Sequence, residues 1–296
     1  MLLTGGNGFV GSRVARRLIA LGHPIRAIVR RAGSSPELAS PLVTEIEGDF
    51  VDLALARRAA EGCAIAVHCA ATAGPDLEPV RRVNVEGTRS VIEAALAAGC
   101  RRFIQVSTLS VYAAGDLPVI DEDCPLKDQG EPYGVTKAEG DRLVLDAVPR
   151  GLGATILRPG AILGVHPTST WAVRVPERVR DRQVKLKIDG RDPLPYLHVE
   201  NLVDAILLAL GAEAAAGRVY NVVDGHTTWR TYTDEVRSWF GTPPLDVIPE
   251  EEVVPGSYWK CAFDARRIRV ELGYAPRITY EAGMAEAAAY WKKRTR

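Results

Sequence analysis

The chain has 296 residues, enough for one large or two modest domains around a substantial core. Apolar residues make up 47%, charged residues 25%, and 37 basic residues balance 37 acidic ones, so charge directs the chain neither to nucleic acid nor to an acidic membrane surface. The longest apolar run, Ala205 to Leu210, is too short to span a bilayer, and Cys63, Cys69, Cys100, Cys124 and Cys261 lack CxxC spacing, so a reducing cytoplasm is expected rather than a disulfide framework.

Met1 leads directly into a strand-like segment ending at Thr4, so no signal peptide is expected, although the segment is short for a buried strand. Gly5-Gly6-Asn7-Gly8-Phe9-Val10-Gly11 follows, with Gly5, Gly8 and Gly11 three apart. Between a strand and a helix, such glycines permit a tight turn and let a pyrophosphate rest on the helix N-terminus. The helix is predicted over Ser12 to Leu21, with Val14, Leu18 and Ile19 on one face and a stop at Gly22.

A second strand is expected over Ile25 to Val29. In dinucleotide-binding folds an acidic residue at its end takes the ribose 2′-hydroxyl; here Arg30-Arg31 stand instead. Two guanidinium groups suit a 2′-phosphate, which favours NADP over NAD, against the plainer reading of a solvated basic turn. Further strands are predicted over Val43 to Glu47 and Ala64 to His68; the small residues Ala70 and Ala71 would let a dinucleotide pass close to the second of these. His68 is expected to pack beside the strand. A helix opens near Val83 and runs to Ala98; Asn84 would hydrogen-bond backbone or water there, or cap the helix, with neither preferred.

Phe103 to Val106 is read as a strand that delivers Ser107 to Tyr112 at its C-terminal end, where open α/β sheets bind ligands. Pro132-Tyr133-Gly134-Val135-Thr136-Lys137 reads as the first turn of a helix, with Tyr133 and Lys137 on one face. A phenol has a pKa near 10, and a neighbouring ammonium favours the phenolate, drawing the group toward acid/base work at neutral pH. Thr155 to Leu157 is another strand, after which the alternation of strands and helices is lost. Between Trp171 and Asp192 seven Lys/Arg face four Asp/Glu in an irregular basic segment. Pro195 to Val199 reads as extended, Glu200 to Leu210 as an amphipathic helix, Val219 to Val222 as a strand, and Thr231 to Arg296 as short helices with loops. The histidines (23, 68, 166, 198, 226) lie far apart, and no metal site is expected.

Taken in order, Thr4 to Gly11, Asp49-Phe50, Asn84 to Thr88, Ser107 to Tyr112, Tyr133 to Lys137, Arg158-Pro159-Gly160, Tyr196 to Val199, Asn201 to Ala205 and Glu271 to Pro276 resemble the extended short-chain dehydrogenase/reductase family, in its epimerase/dehydratase group. The resemblance covers the chain from end to end. It implies a Rossmann doubly wound parallel sheet over 1–160, with 194–223 returning to it, and a smaller substrate domain from 161–193 and 224–296. Tyr133 would be the acid/base, Lys137 would lower its pKa and hold the nicotinamide ribose, and Thr108 would bind the substrate oxygen. Asp49 and Phe50 would meet the adenine, Ala70 and Ala71 would line the dinucleotide, and Pro159 and Ile162 would border the nicotinamide. A homodimer packed through the helices of Asn84 and Tyr133 is the family's arrangement.

Within that group, sugar dehydratases place an acid pair directly after the Thr; Leu109-Ser110 stand here. Sugar epimerases retain NAD, whereas Arg30-Arg31 suit exchangeable NADP. Pro195 to Ala205 most resembles the hydroxysteroid-dehydrogenase-like and dihydroflavonol-reductase-like branches. The expectation is therefore an NADP-dependent oxidoreductase acting on a small, largely apolar ketone or secondary alcohol. The basic segment Arg174 to Arg191 supports the alternative, a nucleotide-sugar 4-epimerase, if it binds a diphosphate rather than forming a solvated rim. A non-enzymatic dinucleotide sensor is disfavoured because Tyr133, Lys137 and Thr108 are all retained. Substrate choice is assigned to 165–192 and 224–257.

Overall fold

The computed structural model describes residues 1–113, 117–253 and 260–294. The first half alternates strands and helices: β1 (Leu2–Thr4), α1 (Phe9–Ala20), β2 (Ile25–Val29), β3 (Val43–Glu47), α2 (Leu53–Ala60), β4 (Ile65–His68), α3 (Leu77–Arg81), α4 (Gly87–Ala97), β5 (Arg102–Val106), β6 (Val119–Ile120), α5 (Pro132–Ala147) and β7 (Ala154–Pro159). The second half has shorter elements: β8 (Ala161–Leu163), α6 (Val175–Arg180), β9 (Leu186–Lys187), β10 (Pro193–His198), α7 (Val199–Gly211), β11 (Val219–Val222), β12 (Gly225–Thr228), α8 (Trp229–Ser238), β13 (Val247–Ile248), β14 (Ala262–Phe263), α9 (Arg266–Leu272) and α10 (Tyr280–Arg294).

Seven strands form one sheet in the order β11-β7-β5-β4-β1-β2-β3. Every pairing in it is parallel. The central strands β1, β4, β5 and β7 are buried almost throughout, as a parallel sheet covered on both faces requires, whereas the edge strand β3, Val-Thr-Glu-Ile-Glu, is only partly covered. Val14, Ala15 and Leu18 of α1, the apolar face of α7, and Ile268 and Leu272 of α9 cover one face. Leu55 and Ala59 of α2, Val91 and Ile92 of α4, and Val144 and Ala147 of α5 cover the other. Leu2 and Leu3 have no exposure, so this three-residue strand is anchored from both sides; each such side chain stabilises by about 1.5–3 kcal/mol.

Local chemistry explains several boundaries. Helix α1 starts at Phe9, three residues before the predicted Ser12, because Gly8 serves as its N-cap. Helix α2, which periodicity did not single out, is capped by Asp52, whose carboxylate accepts from the Ala54 and Leu55 amides. Pro132 occupies the first position of α5, where its fixed φ fits and no amide donor is needed. Between α3 and α4 the helix widens into a π turn at Arg82–Glu86, which carries Asn84.

A second, three-stranded sheet in the order β12-β10-β8 packs with α6, α8 and α10 around Val179, Leu194, Tyr232, Val236 and Met284. Strand β10 belongs to this sheet, whereas α7, directly after it, packs on the large sheet, and β11 closes that sheet's edge. The segment read as irregular and basic holds a π turn at Thr170–Arg174, then α6 and β9. These elements are too short for periodicity to register. Residues 254–257 of the second substrate-choosing stretch lie outside the described residues.

Candidate active site

Because the sheet is parallel, β1, β2, β4, β5 and β7 all end on one edge, and the strand order reverses between β1 and β4. Ligands bind at such a reversal, outside the carboxyl ends of the strands. The loop after β1 faces the loop after β4 there. Gly5 has φ +70°, and a Cβ on it would lie 2.8 Å from the Ala70 amide nitrogen. A Cβ on Gly11 would lie 2.0 Å from the Gly5 carbonyl oxygen, so α1 can press against the turn only without a side chain there.

No side chain caps the N-terminus of α1, and its first turn holds no acidic residue. The amides at that end are arranged to meet an anion. Asn7, Gly8, Phe9 and Val10 are half-buried around the turn; Ala70 stands against Gly5, and Ala71, next in the chain, is exposed. This cradle fits a dinucleotide pyrophosphate. Arg30 and Arg31 are exposed just past β2, and no carboxylate follows Val29 directly. Asp49 accepts from Arg82 at 2.6 Å and from the Val51 amide at 3.0 Å. Partial burial works against its charge, but these donors hold it below the usual carboxylate range. Phe50 lies against Gly87 and, edge-on, 5.6 Å from the His68 ring. Pro159 is buried at the end of β7, and Ile162 is half-buried on β8.

Thr108, Tyr133 and Lys137 come together at the end of β5. Thr108 is nearly buried and caps a 3-10 turn over Leu109–Val111, its hydroxyl accepting from the Ser110 amide at 3.1 Å. The Tyr133 hydroxyl has Thr108 as its side-chain partner. Lys137 is buried, and its ammonium donates to the Val106 carbonyl at 2.9 Å. Burial pushes the Tyr133 phenol above its ordinary range; the Thr108 hydrogen bond draws it partly back, and the Asp141 carboxylate adds to the rise. The expectation was that the neighbouring Lys137 ammonium draws the phenol toward the working range; at Tyr133 the largest effect is instead desolvation of the phenolate. Burial likewise lowers Lys137, opposed first by Asp141 and then by Cys69.

Asn84 is buried in the π turn with both amide functions engaged. Its oxygen accepts from the Thr72 amide at 2.9 Å; its nitrogen donates to the Thr72 carbonyl at 2.9 Å and to Thr136 at 3.0 Å. It thus ties the loop after β4 to the helix of Tyr133. His68 is held between Thr4 (2.5 Å) and Thr88 (3.1 Å), and burial pushes it down to about 3, so it is a neutral packing residue.

Sequence reasoning gave no role to a buried cluster behind α5. Arg158, with no more than a trace of exposure, donates to Asp141 at 2.9 Å and to Tyr112 at 2.8 Å. Tyr112 donates to Asn221 at 2.6 Å. The available signals were an arginine inside the otherwise apolar strand Ala154–Pro159 and a carboxylate one helical turn beyond Lys137. In the basic segment, Arg180 pairs with Asp181, Arg182 with Asp246 and Arg191 with Asp189.

The model of the NAD dependent epimerase/dehydratase family matches residues 1–223. The chain belongs to this family. It is 31% identical to a dTDP-glucose 4,6-dehydratase of Streptomyces griseus, over 99% of this chain and 94% of that protein. It is 30% identical to a 2-alkyl-3-oxoalkanoate reductase of Stenotrophomonas maltophilia, over 98% of both chains. Among solved structures, the dTDP-glucose 4,6-dehydratase DesIV of Streptomyces venezuelae, with NAD and TYD bound, superposes with a TM-score of 0.84 at 25% identity, over 99% of this chain and 96% of that one. The protein is an NAD-dependent enzyme of the extended short-chain dehydrogenase/reductase type. No described helix is long and apolar enough to cross a membrane, and no group of three or more His, Cys, Asp or Glu among the described residues could hold a metal.

Proposed function

We propose that the protein is an NADP-dependent oxidoreductase that interconverts a secondary alcohol and a ketone on a small, largely apolar substrate. One observation carries the reading. Thr108 is followed by Leu109, buried in an apolar cluster with Val111 and Tyr112, and by Ser110. Tyr133 therefore has a hydroxyl partner in Thr108, and no carboxyl pair follows Thr108 to eliminate water. Similarity to a 2-alkyl-3-oxoalkanoate reductase over nearly the whole chain supports the same class of chemistry.

Bound nicotinamide supplies hydride transfer. Thr108 and Tyr133 then hold the substrate oxygen on which charge develops, and Tyr133 exchanges its proton with that oxygen. Lys137, fixed by the Val106 carbonyl, presents a positive charge beside them. Arg30 and Arg31 would take the 2′-phosphate of NADP. The acid partners of Arg180, Arg182 and Arg191 favour a solvated rim over a diphosphate clamp. As in the family arrangement, the helices of Asn84 and Tyr133 would form the seam of a homodimer.

The test is a panel of ketones, including 2-alkyl-3-oxoalkanoates, alongside dTDP- and UDP-glucose, with NADPH oxidation and product analysis as readouts. Oxidation of NADPH by an apolar ketone is expected. Conversion of a nucleotide sugar without net NADPH consumption would replace this reading with epimerase or dehydratase chemistry. Dinucleotide binding with no turnover of any substrate would favour a sensor.

A further inference from the structure

Asp141 lies one turn beyond Lys137 on α5, on the same helix face, and has no exposure. Its two oxygens differ. Oδ2 accepts from the Arg158 Nε at 2.9 Å, whereas Oδ1 is buried without a hydrogen-bond partner. Burying a charged oxygen unpartnered is costly, so its retention calls for a reason. Arg158 is itself held by Tyr112, and Tyr112 by Asn221, so the carboxylate cannot swing away. Gln105 and Ser107, flanking the Val106 carbonyl that receives Lys137, also carry buried polar atoms without partners. The Lys137 ammonium, held by the Val106 carbonyl, makes no direct ion pair among the described residues; Asp141 is the buried carboxylate one turn away on the same helix face.

We propose that Asp141, clamped by Arg158, is a positioning residue that keeps the buried Lys137 ammonium charged and aimed at the active-site edge. The proposal rests on Tyr133 and Lys137 being the reacting pair, and extends that pair by one turn. The other titratable groups facing Lys137 are Tyr133 on its own helix and His68 and Cys69 at the end of β4. Burial pushes Cys69 up to about 12 and His68 down to about 3, so both are neutral, and the Asp141 carboxylate is the group that most favours the charged lysine.

The experiment titrates the lysine side chains by NMR with 13C-labelled lysine, assigning Lys137 from Lys137→Met. This readout needs no substrate, so it stands if the ketone reading fails. In Asp141→Asn the Lys137 midpoint is expected to fall by about one unit or more, and in Asp141→Glu to return most of the way. Asp141→Asn leaves Arg158 buried and unpaired and could unfold the chain. The double variant Asp141→Asn/Arg158→Met removes both charges together; loss of the Arg158 cation raises the Lys137 midpoint, so the double variant is compared with Arg158→Met and is expected to lie below it. A Lys137 midpoint that stays at the wild-type value in folded Asp141→Asn, or at the Arg158→Met value in the folded double variant, would reduce Asp141 to a structural partner of Arg158. Where a ketone substrate is in hand, the alkaline limb of kcat/KM for reduction should move to lower pH in step with that midpoint.

Discussion

The Lys137 ammonium donates to the Val106 carbonyl at 2.9 Å, which pins α5 to the last residue of β5. Thr108, two residues further along, is thereby set opposite Tyr133. A long, flexible side chain becomes a fixed charge because its stem is buried and one of its donors is committed to the backbone. The acid/base chemistry thus depends on a strand–helix contact as much as on the Tyr-Lys spacing.

Removing the Tyr133 hydroxyl should separate chemistry from binding. Tyr133→Phe keeps the ring and its packing but leaves the substrate oxygen without a proton donor. The rate of hydride transfer should fall by a factor on the order of 10²–10⁴, with the dinucleotide Kd changed little. Single-turnover kinetics and fluorescence titration measure the two separately. An undiminished rate would show that another group moves the proton.

Dinucleotide preference is predicted to rest on the exposed pair after β2. Arg30→Ala should weaken NADPH about tenfold while leaving NADH nearly untouched, and Arg30→Ala/Arg31→Ala should weaken it further. The Kd ratio for the two dinucleotides is the quantity to compare. If it does not move, the 2′-phosphate is held elsewhere or the enzyme uses NAD.

Gly11→Ala tests the cradle. Its Cβ would sit 2.0 Å from the Gly5 carbonyl oxygen, and that contact is backbone, which cannot rotate away. We expect a loss of about 1–3 kcal/mol in stability and failure to bind either dinucleotide, since α1 must shift. Urea unfolding and a dinucleotide titration would show both; retention of normal affinity would mean that α1 does not set the pyrophosphate site.

His68 gives the fold an acid sensitivity of definite sign. Burial holds it down to about 3 in the native state, against about 6.5 in an unfolded chain. Between those values the unfolded chain binds a proton that the native state does not. Stability is therefore full above about pH 6.5 and declines as pH falls toward 3, at about 1.4 kcal/mol per pH unit. Between pH 6.5 and 5, wild type should lose about 2 kcal/mol more than His68→Gln in urea unfolding. Parallel curves would mean that the imidazole is not buried neutral between Thr4 and Thr88.

Much of the architecture was legible along the chain. The runs Ile25 to Val29, Val43 to Glu47 and Val219 to Val222 are strands with the predicted limits; the first and third are largely buried, whereas Val43 to Glu47 is a partly covered edge strand. Helix α2 was not singled out although Leu55, Ala56, Ala59 and Ala60 form a buried face against Arg57 and Arg58; that face and the Asp52 cap were the available signals. Short elements such as β9 and β13 owe their existence to each other, pairing across some sixty residues, a relation that local pattern does not record.

At the site, the glycine turn and the Tyr133–Lys137 pair were read from residue types and spacing, and Thr108 from the family resemblance; these are the groups proposed to bind and react. Which groups tune them was decided only in three dimensions. Burial is the largest influence on Tyr133, and desolvation depends on what covers a side chain. Asn84 proved to be a brace between Thr72 and Thr136, twelve and fifty-two residues away. Arg158 reached Asp141 and Tyr112 across seventeen and forty-six residues. Hydrogen bonds and charges act through space, so a sequence can name the groups that react while the fold sets the field in which they do so.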